Sequence, residues 1–280
     1  MEKLLLVDGS NLLFQMFYGM PARIVSRDGK AIQGTLGFVG ALLKILRRVQ
    51  PDYVAVIFDG EYTSYRMELD DNYKANRMDY SKIQEEETPF SQLPDIFRGL
   101  KQLEISYWET TACEADDILA GYALTYGKRM DIVIVSQDSD LFQLVGEHVR
   151  IFRYRGEKSV LCDDAYIREK YGIEPKQYAA FKSLTGDPSD NIRGVDKIGP
   201  KTASALLKQF GSLDRLLVEY DSITKPSIRA SIQQNAERIQ KNYQLICLTG
   251  HEKLPFLLNS LRYRDKGFTT TQVLQQIGLK

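Results

Sequence analysis

Nine carboxylates fall in short clusters along the chain: Asp8, Asp59, Glu114, Asp116, Asp117, Asp138, Asp140, Asp187 and Asp190. Each alone has an ordinary explanation. An Asp at a strand end or helix start is commonly a cap. Glu114-Ala115-Asp116-Asp117 places favourable negative charge at a helix N-terminus, and Asp138-Ser139-Asp140 can be a turn. Asp187 and Asp190 are three apart, so one helical turn would put both on one face. Gathered at one sheet edge, so many acids would repel one another unless cations neutralised them. Oxygen-only ligation without His or Cys suits Mg²⁺ or Mn²⁺. Two such ions ~3.5–4 Å apart can activate water and stabilise the leaving oxygen in phosphodiester cleavage. His148 and His251 are isolated, and neither a Gly-x-x-x-x-Gly-Lys loop nor a Ser-His-Asp order is present. Nucleotide triphosphatase and serine hydrolase chemistry therefore fit poorly.

Two other stretches carry chemistry. Gly194–Val195–Asp196–Lys197–Ile198–Gly199 is a Gly-flanked turn opening a helix. Turn amides and a helix N-terminus bind anions without side-chain charge, and Lys197 and Lys201 would reinforce them. An ordinary helix–turn–helix connection is the alternative. Residues 60–92 have few aliphatics and interleave Arg66, Lys74, Arg77 and Lys82 with Tyr65, Tyr73 and Tyr80. That composition predicts an exposed excursion, helical in part, able to grip phosphates and stack bases. A solvated mixed-charge helix is the alternative, and Glu85-Glu86-Glu87 reads as solvated.

The elements that position these residues follow from pattern. Lys3–Asp8, Tyr53–Phe58, Ile105–Trp108 and Asp131–Ser136 are short apolar runs with turn residues after them, the signature of buried strands. Three of them lead into Asp8, Asp59 and Asp138. Helical stripes cover Asn11–Tyr18, Gly34–Arg48, Leu93–Leu103 and Ala115–Tyr126, and Leu141–Val145 starts another helix. Val149–Tyr154 and Ser159–Leu161 read as a hairpin, and Asp164 as the cap of Ala165–Tyr171. Pro175 suits the first turn of Lys176–Leu184. Beyond lie Lys201–Phe210, Leu213–Tyr220 capped by Ser212, and one long helix through Ser227–Leu248. Alternating strands and helices predict an α/β fold with a mainly parallel sheet and an attached helical part after about residue 165. Sites in such sheets lie at the strands' carboxyl ends.

At 280 residues and 43% hydrophobic the chain can bury a sizeable core. Mean hydropathy is −0.31, and no apolar run approaches the ~18 residues of a membrane span. Leu4–Val7 is too short for a leader's apolar core. The three cysteines, Cys113, Cys162 and Cys247, lack metal-type spacing and suit a reducing compartment. An intracellular, cytoplasmic protein with no membrane partner is expected. With 37 acids and 37 bases, a general nucleic-acid coat is disfavoured. Acids gathered in one pocket would nevertheless leave the remaining surface basic.

The ordered set VDGSN, FDG, YKANR, CEADD, SQDSD, LTGDPSDN and GVDKIGPKTA resembles the flap endonuclease / 5′-3′ exonuclease family. It is most similar to the 5′-nuclease domain of bacterial DNA polymerase I and to stand-alone bacterial and phage relatives. The resemblance runs from about residue 3 to about 250, and no polymerase segment follows, which fits the stand-alone form. It implies a PIN-like nuclease domain over 1–164, a helical arch at about 60–92, and a helical DNA-binding region with a helix-hairpin-helix over 165–280. By motif position, Asp8, Asp59, Glu114 and Asp116 would hold a first metal. Asp117, Asp138, Asp140, Asp187 and Asp190 would complete the second side, some of them through water. The implied catalytic set is Lys74, Arg77, Asp116 and Asp138, with Lys74 and Arg77 contacting the scissile phosphate. The resemblance also implies K⁺ held by backbone carbonyls of Leu184, Thr185, Arg193, Val195 and Ile198, and DNA contacts at Arg66, Tyr73, Gly194, Lys197, Gly199, Lys201 and Thr202. Gln15, Ser139, Lys197 and Cys113 depart from the family's usual Arg, Lys or Arg, Gly and Tyr, and none of them removes a metal ligand.

The expected activity is Mg²⁺-dependent, two-metal hydrolysis of DNA at 5′ ends, nicks and flaps by a monomer, leaving a 5′-phosphate. Two alternatives are a single-strand ribonuclease on the same PIN-like sheet and a catalytically silent DNA-binding accessory protein. The Gly194–Thr202 turn, which implies a duplex, speaks against the first. The complete carboxylate set speaks against the second.

Overall fold

A computed structural model describes residues 1–60 and 64–279. The first part of the chain runs β1 (Lys3–Asp8), α1 (Gly9–Gly19), α2 (Gln33–Val49), β2 (Tyr53–Phe58), α3 (Tyr65–Leu69) and α4 (Leu93–Gln102). It continues through β3 (Ser106–Glu109), α5 (Ala115–Tyr126), β4 (Asp131–Val135), β5 (Val149–Arg153) and β6 (Val160–Cys162). These strands form one sheet in the order β3-β2-β1-β4-β5-β6, parallel throughout except where β6 returns antiparallel to β5.

The continuous apolar runs reflect burial on both faces of this sheet. Leu4, Leu6, Ala55 and Ile57 pack towards Ile118, Leu119 and Tyr122 of α5. Their neighbours Leu5, Val7, Val56 and Phe58 pack towards Leu12, Phe38, Leu42 and Ile96 of α1, α2 and α4. From β1 the chain moves to β2 and β3 on one side, then returns to β4 and β5 on the other. That reversal opens a crevice beyond the carboxyl ends of β1, β2 and β4. Asp8, Asp59 and Asp138 stand there.

The remaining helices are α6 (Asp164–Tyr171), α7 (Tyr178–Thr185), α8 (Pro200–Phe210), α9 (Leu213–Val218), α10 (Pro226–Gln234), α11 (Ala236–Ile246) and α12 (Thr270–Gln276). A hairpin of two-residue strands, β7 (Gly186–Asp187) and β8 (Ile192–Arg193), follows α7. Tyr178, Phe181 and Leu184 share one apolar cluster with α5 and Phe142, so the helical part and the sheet have a common core. α11 is pinned to α7 and β8 by Asn242, whose Nδ2 donates to the Ser183 and Arg193 carbonyls at 3.0 and 2.8 Å.

Several expectations need correction. The long helix over 227–248 is two helices, α10 and α11. Asn235 leaves helical geometry at φ −116°, ψ 16° and returns its side chain to the Ser231 carbonyl, the backbone competition typical of Asn. The cap of α6 is Asp163 rather than Asp164, since Asp163 Oδ1 accepts the Tyr166 N–H at 2.9 Å. Asp140–Leu144 forms a 3₁₀ run, not an α-helix. Between α7 and α8 stand both the β7–β8 hairpin and the Gly194–Gly199 turn, so the two helices are not joined by a simple hairpin.

The excursion differs most. Its residues 61–63 lie outside the described residues. Among the described ones, α3 is five residues long and the rest forms 3₁₀ turns at Tyr80–Lys82, Glu85–Glu87 and Pro89–Gln92. Glu86 and Glu87 are exposed as expected, but Ser64, Arg66, Tyr73, Thr88 and Gln92 are buried. Gln92 ties the segment to the start of α2, donating to the Ala31 carbonyl at 2.7 Å and accepting from Thr35 Oγ1 at 3.1 Å.

Two glycines make the turn after β8 possible. A Cβ on Gly194 would lie 2.3 Å from the Thr185 carbonyl oxygen, and Gly186 adopts φ +80° with Gly194 against it. Only residues without Cβ let these backbones cross. Gly194→Ala should therefore cost about 1–3 kcal/mol, read as a lower urea midpoint with an unchanged m-value. An unshifted midpoint would show that the crossing is not constrained.

Candidate active site

Asp8 sits where β1 becomes α1, and its side chain caps that helix. Oδ1 accepts the Asn11 N–H at 2.9 Å and Oδ2 accepts from Ser136 Oγ at 2.7 Å. Ser136 also accepts the Asp138 N–H at 3.0 Å, binding the ends of β1 and β4 together. Asp59 Oδ1 accepts the Ala115 N–H at 2.9 Å, which docks the start of α5 on the end of β2. Asp138 Oδ1 accepts the Asp140 N–H at 2.8 Å. Capping geometry and cluster geometry are thus the same geometry.

Five carboxylates, Asp8, Asp59, Glu114, Asp116 and Asp138, line one cavity of about 780 Å³. Lys74 and Arg77 line it too, and Phe14, Tyr80 and Phe90, also in its lining, meet edge-to-face at 5.2–5.8 Å. Beside the cavity is a second group, with ligand oxygens of Asp140, Asp187 and Asp190 all within 4.8 Å of one another. Tyr73 spans the two groups, its hydroxyl lying 3.1 Å from Glu114 Oε2 and 3.4 Å from Asp190 Oδ2.

Mutual proximity in a dry space shows in the protonation equilibria. Burial, then the Asp59 charge, pushes Asp8 up to about 7, against the lowering effect of the Asn11 and Ser136 hydrogen bonds. Burial followed by Asp138 and Asp8 raises Asp116 well above the usual carboxylate range. Burial followed by Asp138 does the same for Asp140, and burial also raises Asp138. Asp187 goes the other way. Burial opposes its charge, but hydrogen bonds from Lys182 and Ser189 hold it below the usual range.

Three expected site residues have other work. Arg66, expected on DNA, is 1% exposed. Its guanidinium grips Asp117 through two bonds of 2.7 and 2.8 Å and donates Nε–H to the Leu245 carbonyl at 2.8 Å. Both Asp117 oxygens are thereby engaged, and Oδ2 also accepts the Glu114 N–H at 3.1 Å. Asp117 is the counter-ion of Arg66 here and does not face the cavity. Tyr73, also expected on DNA, is 5% exposed because its hydroxyl is drawn to buried carboxylates.

Lys74 and Arg77 line the cavity, each held by an acid: Lys74 Nζ–Glu114 Oε1 and Arg77–Asp190 Oδ1, both at 2.8 Å. Lys74 adopts φ +58°, with its N–H donated to the Asp190 carbonyl at 3.0 Å. Thr185, Arg193, Gly194, Val195, Lys197, Ile198 and Gly199 line a shallow concavity of about 520 Å³. Lys201 is exposed and Thr202 half-buried on the first turn of α8. Leu184 lies behind the concavity with its carbonyl on the Val195 N–H at 2.9 Å. Lys197, standing where glycine was expected, takes φ +69°.

Lys182 escaped the sequence analysis. Its Nζ lies 2.5 Å from Asp187 Oδ2 and 3.6 Å from Asp140 Oδ1, and these acids hold its charge against burial. The available signal was a lone cation in the apolar segment Tyr178–Thr185, one turn before the Asp187 motif.

Profiles of two families match end to end. Residues 3–172 match the 5′-3′ exonuclease N-terminal resolvase-like domain, and residues 173–268 match the 5′-3′ exonuclease C-terminal SAM fold. The chain belongs to the 5′-3′ exonuclease family. It is 35% identical over 264 residues to the thermostable DNA polymerase I of Thermus thermophilus, covering 94% of this chain and 30% of that protein. DNA polymerase I of Chloroflexus aurantiacus is 38% identical over 252 residues, covering 86% and 26% respectively. The chain thus spans under a third of the length of these curated relatives. Among solved structures, bacteriophage T5 5′-exonuclease with bound zinc superposes at a TM-score of 0.73 and 21% identity, over 99% of this chain and 100% of that one. The T5 flap endonuclease in a pseudo-enzyme–product complex with DNA and metal ions gives the same TM-score and identity, over 99% of each chain. These structures share the fold.

The donors of this family member fit divalent cations. They are all oxygens, they converge from separate elements, and Asp140 Oδ1 is buried without a hydrogen bond, with Lys182 Nζ no nearer than 3.6 Å, so it keeps acceptor capacity for a cation. Among the described residues, no helix is long and apolar enough to cross a membrane.

The Asp8 shift fixes a pH signature in chelator. Folded Asp8 titrates near 7, whereas in the unfolded chain it titrates near the ordinary ~3.9. Between those values the folded state holds a proton that the unfolded state has lost, so this group makes stability fall as pH rises from about 4 to about 7. Asp187, lowered in the fold, acts only below that window. Chemical denaturation in EDTA at pH 5 and 7.5 should show lower stability at the higher pH, a difference that Asp8→Asn reduces. Equal pH slopes in the two proteins would refute the assignment.

Proposed function

We propose that this chain is a structure-selective 5′ nuclease that hydrolyses DNA phosphodiesters at 5′ ends, nicks and flaps and leaves a 5′-phosphate. One observation carries this reading: carboxylates from the ends of β1, β2 and β4 and from the start of α5 line one cavity together with Lys74 and Arg77. The sheet and its helices over 1–164 supply the nuclease site, and the helices over 165–280 supply the duplex grip and the last carboxylates. All nine carboxylates come from one chain, so a monomer suffices.

Asp8, Asp59, Glu114, Asp116 and Asp138 would hold Mg²⁺ or Mn²⁺ on the cavity side, and Asp140, Asp187 and Asp190 on the other. Bound there, such ions lower the pKa of water and neutralise charge on the leaving oxygen. The chain's own residues do the rest. With the carboxylates ionised, the cavity repels a phosphodiester, so DNA is admitted only once the charge is balanced. Lys74 and Arg77 then exchange their carboxylate partners for phosphate oxygens, where Arg is a forked donor and Lys a point charge. Phe14, Tyr80 and Phe90 offer aromatic surface to unpaired bases beside that phosphate.

The second contact is the Gly194–Gly199 concavity. The carbonyls of Thr185, Arg193, Val195 and Ile198 would hold K⁺, and Lys197, Lys201 and the first amides of α8 would meet a duplex phosphate. Such contacts fix register without reading sequence, which suits recognition of structure.

The test is cleavage-site mapping on a 5′-end-labelled flap duplex with and without Mg²⁺, beside single-stranded RNA of matched length. Cuts near the flap junction, with Mg²⁺ only and on DNA in preference to RNA, are expected. Preference for RNA would favour a single-strand ribonuclease, and binding without cleavage a silent accessory protein. Asp116→Ala or Asp138→Ala should lower the rate at least ~100-fold, since an ion supplies several kcal/mol of stabilisation, while duplex binding in EDTA persists. Turnover like that of the unmodified protein in either variant would overturn the reading.

A further inference from the structure

Arg66 is the largest of the fully buried side chains, in a stretch whose composition is that of a surface. It joins three elements that are far apart in sequence. Its Nε–H goes to the Leu245 carbonyl near the end of α11, and its two terminal nitrogens go to both oxygens of Asp117 in the first turn of α5. Nη1 also lies 3.3 Å from Glu114 Oε2. Asp117 Oδ2 in turn accepts the Glu114 N–H, so Asp117 fixes the backbone of the residue whose side chain Arg66 touches. Glu114 is left with Oε1 towards Lys74 and the cavity.

We propose that Arg66 is a positioning residue: its fork on Asp117 and its contact with Glu114 hold the opening of α5 so that Glu114 presents its carboxylate to a divalent cation. Asp117 takes part as the partner of Arg66 and not as a ligand. This rests on the nuclease reading to the extent that Glu114 is taken to bind metal. Without Arg66, Glu114 and Asp117 become adjacent buried anions, and Glu114 Oε2 loses its charged donor and keeps only the neutral Tyr73 hydroxyl of the two that touch it. Outer partners of this kind typically alter metal affinity by 10–100-fold when removed. Lysine would keep the charge but lose the bidentate fork.

The test titrates Mn²⁺ into the full chain, following the free ion by electron paramagnetic resonance, for the unmodified protein, Arg66→Met, Arg66→Lys, Asp117→Asn and Glu114→Gln. Thermal unfolding and duplex binding in EDTA are measured alongside. Arg66→Met should weaken the tightest Mn²⁺ site about 10–100-fold and leave duplex binding within about twofold, with Arg66→Lys falling between. A purely structural Arg66 would lower the unfolding temperature yet leave the folded protein's Mn²⁺ affinity unchanged, and that result overturns the proposal. If Arg66→Met does not fold, Asp117→Asn decides. A smaller loss than in Glu114→Gln supports the role, and an equal loss makes Asp117 a ligand and overturns it. The two readings fail differently. An unmodified protein that neither binds Mn²⁺ nor cuts flap DNA sinks the nuclease assignment. One that does both, with Arg66→Met binding Mn²⁺ as tightly, sinks only the role of Arg66.

Discussion

The structure is governed by unbalanced negative charge held out of water. Five carboxylates line one cavity, three more gather beside it and Asp117 lies behind Glu114; among the described residues, four side-chain cations touch these nine: Arg66, Lys74, Arg77 and Lys182. Like charges in a low-dielectric space repel strongly. Burial first, and after it the charge of neighbouring acids, raises the protonation equilibria of Asp8, Asp116, Asp138 and Asp140. Divalent cations relieve the same repulsion without the protons, so metal affinity and the instability of the metal-free site have a common origin.

The need for counter-charge also explains the course of the chain between β2 and α4. A stretch with few aliphatics has little apolar surface to bury, yet residues 64–77 pack into the body because Arg66, Tyr73, Lys74 and Arg77 are drawn to acids. The backbone bends to permit it. Lys74 takes a left-handed conformation, which for a residue other than glycine costs on the order of 1 kcal/mol, and the Asp190 carbonyl holds it there. The helical half is equally committed, since Lys182, Asp187 and Asp190 come from it. Neither half of the chain has the whole site.

What the sequence shows and what it hides divide along physical lines. Strands buried on both faces leave unbroken apolar runs, so β1, β2 and β4 and the acids at their ends are legible, and the order of those acids points to one sheet edge. Buried cations leave no such trace. Arg66 among polar neighbours resembles a solvated residue, and Lys182 in an apolar helix resembles a snorkelling one, because what buries each is a carboxylate more than thirty residues away for Arg66 and a turn away for Lys182. The pairing of Asp117 is hidden for the same reason: adjacency to Asp116 reveals the shared motif but not that one carboxylate lines the cavity and the other turns to Arg66. The break at Asn235 is hidden because apolar periodicity continues through it.

The two sides of the cavity are held by interactions of different kinds, and this decides which side can respond to a substrate. The Gly194 turn is joined to the Asp187 hairpin by the β7–β8 pairing, by the Leu184–Val195 hydrogen bond and by a crossing of backbones too close for a Cβ. On the proposed reading, a duplex phosphate held at the turn would be tied to the carboxylates by packed backbone, at a fixed distance from them. Lys74 and Arg77 are attached by ion pairs with Glu114 and Asp190. A phosphate oxygen offers the same chemistry as a carboxylate oxygen, so these pairs are exchangeable at little net cost. In that reading the helical half would measure position and the segment from 64 to 77 would respond to what arrives, with Arg66 as the buried anchor from which that segment extends.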